Sequence, residues 1–183
     1  MAIRIDGKHV VLVGMMGTGK TAVGRALATR LKRPFYDTDR LIEAREGRSI
    51  QAIFGVSGEP YFRDVETTVI QQAVGRPVGV IAIGGGALLR EENCSALTQR
   101  GVLVWLKADL DTMLTRTKGR STRPLLNVQD RTAELARLLK ERTPLYAKAD
   151  MSVETTGKRI EEVTQMILNR IEGGDECGRR DDE

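Results

Sequence analysis

The sequence predicts an α/β fold in three layers, with a parallel β-sheet between two layers of helices. Short apolar runs alternate along the chain with segments whose apolar residues recur at helical spacing. The runs are almost continuously apolar, which is typical of strands buried on both faces by covering helices. A glycine-rich segment also separates the first apolar run from the first helical pattern. Together these observations indicate five parallel strands in one domain.

The predicted elements follow one another in a regular order. Predicted strands occupy five short segments, at 9–14, 34–38, 79–84, 102–107 and 151–155. Helical patterns occupy six longer segments, at about 19–31, 59–74, 91–99, 109–117, 131–147 and 159–172. Capping residues predict two further short helices, one from Asp39 as N-cap to Gly47 as the closing glycine, and one that begins after Ser49.

Two segments interrupt this order. The sequence KGRSTRPLLNVQD at 118–130 is polar and contains Pro124, which argues against a helix through its centre, so we expect a loop. Glycine and charged residues dominate 173–183, so we expect a disordered acidic tail there. A single folded domain is therefore expected over residues 1–172.

The composition argues against several classes of protein. Hydrophobic residues make up 40% of the chain, yet no apolar stretch approaches the roughly 18 residues of a membrane span. Cys94 and Cys177 are too few for a disulfide framework or a zinc site, and no export signal precedes the first strand, so we expect a cytoplasmic protein. His9 is the only histidine and lies at the edge of a predicted strand, which disfavours a Ser-His-Asp hydrolase.

The net formal charge of +4 does not by itself indicate nucleic-acid binding. The basic residues form no continuous run, and aromatic residues that could stack on bases make up only 4% of the chain. We therefore interpret the arginines as ligands of small anionic molecules.

The segment GMMGTGKT at 14–21 matches the pattern G-x-x-x-x-G-K-[ST] through Gly14, Gly19, Lys20 and Thr21. Glycines allow the backbone N–H groups of such a loop to surround a phosphate at the N-terminus of the following helix. Lys20 can then reach the β- and γ-phosphates, and the Thr21 hydroxyl can ligate Mg²⁺. The alternative is a glycine-rich turn without a ligand, but the flanking strand and helix favour a nucleotide-binding loop.

Carboxylates and glycines follow the next two predicted strands. The sequence FYDTD places Asp37 and Asp39 at the carboxyl end of a strand, where parallel sheets bind ligands. One carboxylate could hold Mg²⁺ through water while the other faces a substrate hydroxyl; alternatively, Asp39 serves only as a helix N-cap. After the third strand, the three glycines at 84–86 indicate that another group approaches the backbone closely.

Seven segments in register resemble the shikimate kinase family. They are, in chain order, GMMGTGKT, DTDRLIE, GRSIQAIFGVSGE, FRDVE, IGGG, RPLL and ERTPLY. The resemblance extends from about residue 9 to 170 and implies a P-loop kinase fold with sheet order 2-3-1-4-5 and a mobile lid at 118–130. It also implies transfer of the ATP γ-phosphate to the 3-hydroxyl of shikimate, in the route to chorismate and the aromatic amino acids.

By the same resemblance, an acceptor-binding region would lie at about 37–66, and one set of residues from this region and from later segments would contact the acceptor. This set comprises Asp39, Arg63, Gly84, Gly85, Gly86 and Arg142. The aspartate would accept hydrogen bonds from shikimate hydroxyls and is the candidate base, while Gly85 would donate its N–H to the substrate. The two arginines would bind the shikimate carboxylate, for which the planar guanidinium is well suited.

A second set of residues would contact ATP. This set comprises Gly14, Gly17, Thr18, Gly19, Lys20, Thr21, Ala22, Arg116 and Arg123. Lys20 and the lid residue Arg123 would act in catalysis at the phosphates, and Arg116 would stack on adenine. Thr21 would bind Mg²⁺ directly and Asp37 through water. The enzyme is expected to be a monomer without nucleic-acid or membrane partners, and neither Lys158 nor Arg159 can be assigned to the adenine.

Two other functions are compatible with the phosphate loop. A gluconate or nucleotide kinase would use the same frame, but two arginines and a carboxylate suit a small polyhydroxy acid better than a nucleobase. A regulatory ATP- or GTP-binding module would not need carboxylates and glycines to converge on the loop. The guanine-binding pattern N-K-x-D is also absent from the sequence.

Overall fold

The computed structural model describes residues 3–118 and 130–172. The predicted lid therefore lies outside the described residues except for its two ends, and so does the predicted acidic tail at 173–183.

The described residues form seven strands. They are β1 (Ile3–Arg4), β2 (His9–Val13), β3 (Phe35–Asp37), β4 (Val80–Ala82), β5 (Gly101–Lys107), β6 (Met151–Glu154) and β7 (Ile171–Glu172). Five of them form the central sheet in the order β3-β4-β2-β5-β6, and every neighbouring pair is parallel. Counted along the chain within this sheet, the order is 2-3-1-4-5, so the prediction is confirmed.

Helices connect these strands. They are α1 (Lys20–Arg30), α2 (Thr38–Glu46), α3 (Ile50–Val74), α4 (Glu91–Arg100), α5 (Leu110–Thr117), α6 (Arg131–Tyr146) and α7 (Ile160–Leu168). Helix α3 is interrupted at Gly58, whose φ of 79° and ψ of 171° are not helical. Its two halves correspond to the short helix predicted after Ser49 and the helix predicted at 59–74.

The sheet is buried on both faces, which explains the uninterrupted apolar character of its strands. Alternate residues of β2 point to opposite sides. Val11 and Val13 belong to a core under α3, α4, α5 and α6. Val10 and Leu12 belong to a second core under α1 and α7. The predicted three-layer arrangement is therefore confirmed.

Two element boundaries were predicted wrongly. The N-cap of α2 is Asp37, whose carboxylate accepts a hydrogen bond from the backbone N–H of Arg40 at 3.4 Å, and Asp39 lies in the first helical turn. Helix α7 ends at Leu168 instead of 172, because the chain then forms β7, which pairs in parallel with β1. The closing residue Gly47 was predicted correctly and has a left-handed φ of 65°.

His9 has a structural environment. It is 2% exposed, and its Nδ1 accepts a hydrogen bond from the Gly79 N–H at 3.1 Å. The ring therefore carries its proton on Nε2, which lies 3.3 Å from the carbonyl oxygen of Val74. Burial lowers the pKa of His9, so the neutral ring is favoured in the folded protein. Across the described ranges, no helix is both long and apolar enough to cross a membrane.

Candidate active site

The loop between β2 and α1 depends on glycine. Gly14, Gly17 and Gly19 have φ angles of 137°, 82° and 93°, which L side chains rarely adopt. A methyl group on Gly14 would also lie 2.5 Å from the carbonyl oxygen of Leu106. The loop leads directly into α1 at Lys20, so the free N–H groups of the first helical turn are available to an anion.

Two side chains stabilise the loop from within. Lys20 Nζ donates hydrogen bonds to the carbonyl oxygens of Gly14 and Met15, at 2.7 and 2.9 Å. The buried Thr18 hydroxyl donates to the same Met15 carbonyl at 2.8 Å. The lysine ammonium is therefore held over the loop, where phosphate oxygens could replace the carbonyl oxygens as its acceptors.

A cavity of about 760 Å³ opens beside the loop. This volume lies within the range of small-molecule and cofactor sites. The predicted site residues that line it come from the phosphate loop, the start of α1, the end of β3, the first turn of α2 and the end of α5. They are Gly17, Thr18, Gly19, Lys20, Thr21, Ala22, Asp37, Asp39 and Arg116. Gly14 is not among the lining residues.

The Thr21 hydroxyl and the Asp37 carboxylate meet at this cavity. Thr21 Oγ1 donates a hydrogen bond to Asp37 Oδ2 at 2.8 Å. Oxygen ligands of this kind suit Mg²⁺, which is usually held by one or two protein oxygens together with water and phosphate oxygens. These residues therefore fit the magnesium site that the sequence predicts, and the described residues contain no cluster of three or more His, Cys, Asp or Glu that could form a cage.

Arg116 and Lys158 also border the cavity. Arg116 donates to the carbonyl oxygen of Gly17 at 3.2 Å and to that of Thr155 at 3.1 Å, so it joins the phosphate loop to the segment after β6. Lys158 lines the cavity, as Arg116 does. Arg159 instead caps α7, where its N–H donates to the Glu162 carboxylate at 2.7 Å. Of the two residues that the sequence left unassigned, only Lys158 faces the cavity.

The glycines at 84–86 permit close approach rather than unusual dihedral angles. None of the three has a positive φ. A methyl group on Gly84 would lie 2.5 Å from Glu66 Oε1 and 3.3 Å from Asp39 Oδ1. One on Gly86 would lie 2.5 Å from Arg63 Nη2. Side chains from α2 and α3 therefore occupy the space that larger residues would need.

Gly85 differs from its neighbours. A methyl group there would lie no closer than 3.4 Å to Arg142 Nη1 or to the carbonyl oxygen of Gly14. Such distances are ordinary contacts, so the described residues do not by themselves require glycine at this position. They also place Gly85 between Arg142 and the first glycine of the phosphate loop.

Arg63 is buried and held by two carboxylates of its own helix. Its Nη1 donates to Glu66 Oε2 at 2.6 Å, and its Nε and Nη2 donate to Glu59 Oε1 at 3.1 and 2.9 Å. Glu66 has a 1% exposed side chain, whereas that of Glu59 is 46% exposed. The guanidinium is therefore fixed from within the protein and from the surface.

Arg142 approaches the same glycines from α6. It is 3% exposed, and Tyr146, one turn further along the helix, is 1% exposed. The Tyr146 hydroxyl donates a short hydrogen bond to the Gly85 carbonyl oxygen. Burial raises the pKa of Tyr146 to about 12, so the hydroxyl keeps its proton at neutral pH.

Two buried polar atoms of this region have unused bonding capacity. Among the described residues, Glu66 Oε1 and Arg142 Nε have no hydrogen-bond partner. Burial raises the pKa of Glu66, and nearby Asp39 adds to this, while Arg63 and Arg142 oppose it. Unpaired polar atoms of this kind are costly in a protein interior, which makes a polar ligand a reasonable partner.

A sequence model of the family described as "SKI: Shikimate kinase" matches residues 16–172 of this chain. The chain belongs to the shikimate kinase family.

Individual members of the shikimate kinase family agree with this result. A shikimate kinase of Symbiobacterium thermophilum is 43% identical over 173 residues, which cover 93% of this chain and 99% of that protein. One of Nitrobacter winogradskyi is 48% identical over 150 residues, covering 81% and 70%. The solved shikimate kinase of Acinetobacter baumannii in complex with shikimate has a TM-score of 0.87 at 41% identity, covering 88% of this chain and 91% of that one.

A more distant likeness shows the fold alone. A solved gluconokinase of Sinorhizobium meliloti has a TM-score of 0.60 at 16% identity, with 91% of each chain covered. The two chains therefore share a fold.

Within this member of the shikimate kinase family, the structure brings together most of the predicted site. Asp39, Arg63, Arg142 and the three glycines at 84–86 meet beside the phosphate loop. Arg123 lies outside the described residues. Sequence reasoning did not assign roles to Glu66, Thr38 or Tyr146, although Glu66 is three residues from Arg63 and the tyrosine is four from Arg142, spacings that share a helix face.

Proposed function

We propose that this protein transfers the γ-phosphate of ATP to the 3-hydroxyl of shikimate. The observation that carries the proposal is the convergence of two buried arginines and one carboxylate at a glycine turn beside a phosphate loop. A methyl group would lie 3.4 Å from Arg142 at Gly85, 2.5 Å from Arg63 at Gly86 and 3.3 Å from Asp39 at Gly84. A small acid with hydroxyl groups suits such a set, because fork-shaped cations bind carboxylates and a carboxylate accepts from hydroxyls.

On the donor side, phosphoryl transfer requires positioning and neutralisation of charge more than covalent chemistry. The loop N–H groups and Lys20 would hold the β- and γ-phosphates. Thr21 and Asp37 would hold Mg²⁺, which neutralises phosphate charge when it is bound. Arg116 and Lys158, which both line the cavity, would contact the adenine.

On the acceptor side, Arg63 and Arg142 would fix the carboxylate of shikimate, and Gly85 would donate its N–H. Asp39 would orient the 3-hydroxyl toward the γ-phosphate and accept its proton as the new P–O bond forms. The bond between the γ-phosphorus and the β–γ bridging oxygen would break in the same transfer, and ADP would leave with that oxygen. Arg123 and the lid at 118–130 stay predictions, in which the lid excludes water from the reacting phosphate.

An ADP-release assay tests this function directly. Shikimate, quinate, gluconate and nucleoside monophosphates would be compared as acceptors under identical conditions with ATP and Mg²⁺. The proposal requires shikimate to have the highest kcat/KM, and preference for gluconate or a nucleotide would contradict it.

We further propose a cytoplasmic monomer, for which light scattering should give a mass near 20.2 kDa.

A further inference from the structure

The glycine turn at 84–86 is fixed by two buried hydroxyl groups. The Gly84 N–H donates to Thr38 Oγ1 at 3.2 Å, and the Gly85 carbonyl accepts from the Tyr146 hydroxyl. Thr38 is fully buried and Tyr146 is 1% exposed, so water does not compete readily for either bond.

The other backbone groups of the turn show which of its N–H groups remain available to a ligand. The carbonyl oxygens of Gly84 and Gly86 accept from the N–H groups of Ala87 and Leu89, at 3.1 and 3.0 Å. Within residues 3–118 and 130–172, the N–H groups of Gly85 and Gly86 donate to no protein acceptor. The hydroxyl bonds thus fix the two peptide units that flank the Gly85 N–H and leave that N–H available.

Each hydroxyl also links the turn to a helix that carries a residue proposed to bind the acceptor. Thr38 begins α2 and directly precedes Asp39, whereas Tyr146 ends α6 one turn after Arg142. The two bonds therefore set the distance from the turn to the Asp39 carboxylate and to the Arg142 guanidinium.

Glycine makes such anchors necessary. Three consecutive glycines have more conformational freedom than any other tripeptide, and none of these three is held in a left-handed well. Without anchors the turn would sample many orientations of its N–H groups, and each acceptor would have to order it on binding.

We infer that Thr38 and Tyr146 are positioning residues that pre-organise the glycine turn for the acceptor. The inference rests on the proposed function, since it names residues that act through the turn on the binding of shikimate. It assigns no contact between either hydroxyl and the substrate.

Two substitutions test this role with little change in shape. Thr38→Val and Tyr146→Phe each remove one hydroxyl and keep the side-chain volume nearly constant. We expect each to raise the KM and the Kd for shikimate about tenfold, equivalent to about 1.4 kcal/mol, while the KM for ATP changes less than twofold. Thr38→Ser keeps the hydroxyl and should bind shikimate within about threefold of the wild type.

Matched controls lose a similar hydroxyl elsewhere. Tyr36 donates to the Pro77 carbonyl at 3.0 Å, and the buried Thr164 donates to the Ile160 carbonyl at 2.7 Å. Tyr36→Phe and Thr164→Val should leave the KM for shikimate unchanged. A tenfold rise in the controls, or no rise in Thr38→Val and Tyr146→Phe, would overturn the positioning role.

Amide exchange separates this inference from the proposed function. The Gly84 N–H should exchange at least about tenfold faster in Thr38→Val than in the wild type, in the absence of any ligand. Unchanged exchange overturns the anchoring role even if shikimate is the substrate. Failure of the wild type to phosphorylate shikimate contradicts the proposed function, whereas the exchange result would still decide whether the hydroxyls fix the turn.

Discussion

Replacing Gly86 by alanine should displace Arg63 and weaken acceptor binding. The added methyl group would lie 2.5 Å from Nη2, 2.7 Å from Nη1 and 2.8 Å from Cζ of the arginine. Ordinary contacts begin at about 3.4 Å, so the guanidinium has to move by up to about 1 Å. It cannot withdraw freely, because Glu59 and Glu66 hold it on two sides.

A displacement of this size is enough to remove a hydrogen bond to a bound carboxylate. A hydrogen bond to a charged group contributes about 1.5–3 kcal/mol. Loss of one such bond from Arg63 raises the Kd for shikimate about 10- to 150-fold. The phosphate loop lies apart from this contact, so ATP binding should change less than twofold.

Calorimetric titration of Gly86→Ala with shikimate, and separately with an ATP analogue, measures both effects. Gly55→Ala is the matched control, because a methyl group there meets nothing within 4 Å. Far-UV circular dichroism confirms that the variant is folded. A folded Gly86→Ala protein with wild-type affinity for shikimate would refute the placement of Arg63 in the acceptor site.

Lys20→Ala should reduce kcat/KM by at least about 100-fold, equivalent to about 3 kcal/mol of transition-state stabilisation, because the ammonium neutralises transferring charge; near-normal turnover would contradict the loop's catalytic role. Arg63→Lys should raise the KM for shikimate at least about tenfold with an unchanged KM for ATP, since a point charge cannot reproduce two parallel hydrogen bonds; an unchanged KM for both substrates would exclude a fork-like contact. Burial lowers the pKa of His9, so the His9 imidazole binds a proton more readily in the unfolded chain than in the folded protein. The free energy of unfolding should therefore fall as the pH drops below about 6.5. Urea denaturation of wild type and His9→Gln between about pH 7.5 and 5.5 checks this, and parallel curves for the two proteins would show that His9 does not contribute.

The central sheet could be predicted because its signal is local. Strands β2, β4 and β5 consist mostly of buried apolar residues, and the phosphate loop marks the change from strand to helix. Strand order is not local, because strands buried on both faces are equally apolar. It followed only from the family resemblance, and the structure confirms it.

The two wrong helix boundaries lie where a shift of one or two residues, or a contact distant in sequence, decides where the helix begins or ends. Asp37 and Asp39 are both good N-cap residues, and only the point at which β3 ends selects the first. The two-residue pairing of β1 with β7 is too short to leave a periodic pattern.

Arg63 and Arg142 were assigned to the site because the family resemblance gives each of them a role. Thr38 and Tyr146 lie in the segments DTDRLIE and ERTPLY of the same resemblance, but sequence patterns alone gave them no role. Their hydroxyls bond to glycines 46 and 61 residues away in the chain, and the local sequence does not show these contacts.

The most direct test of the account compares shikimate with its analogue in which the carboxylate is reduced to an alcohol. Both molecules present the same 3-hydroxyl, but the analogue leaves Arg63 and Arg142 without a charged partner. Each lost charge-assisted bond is worth about 1.5–3 kcal/mol, so kcat/KM should fall by roughly 10²- to 10⁴-fold, with the KM for ATP unchanged. Phosphorylation of the alcohol nearly as efficiently as shikimate would contradict the account, because the two arginines would then not bind the acceptor's carboxylate.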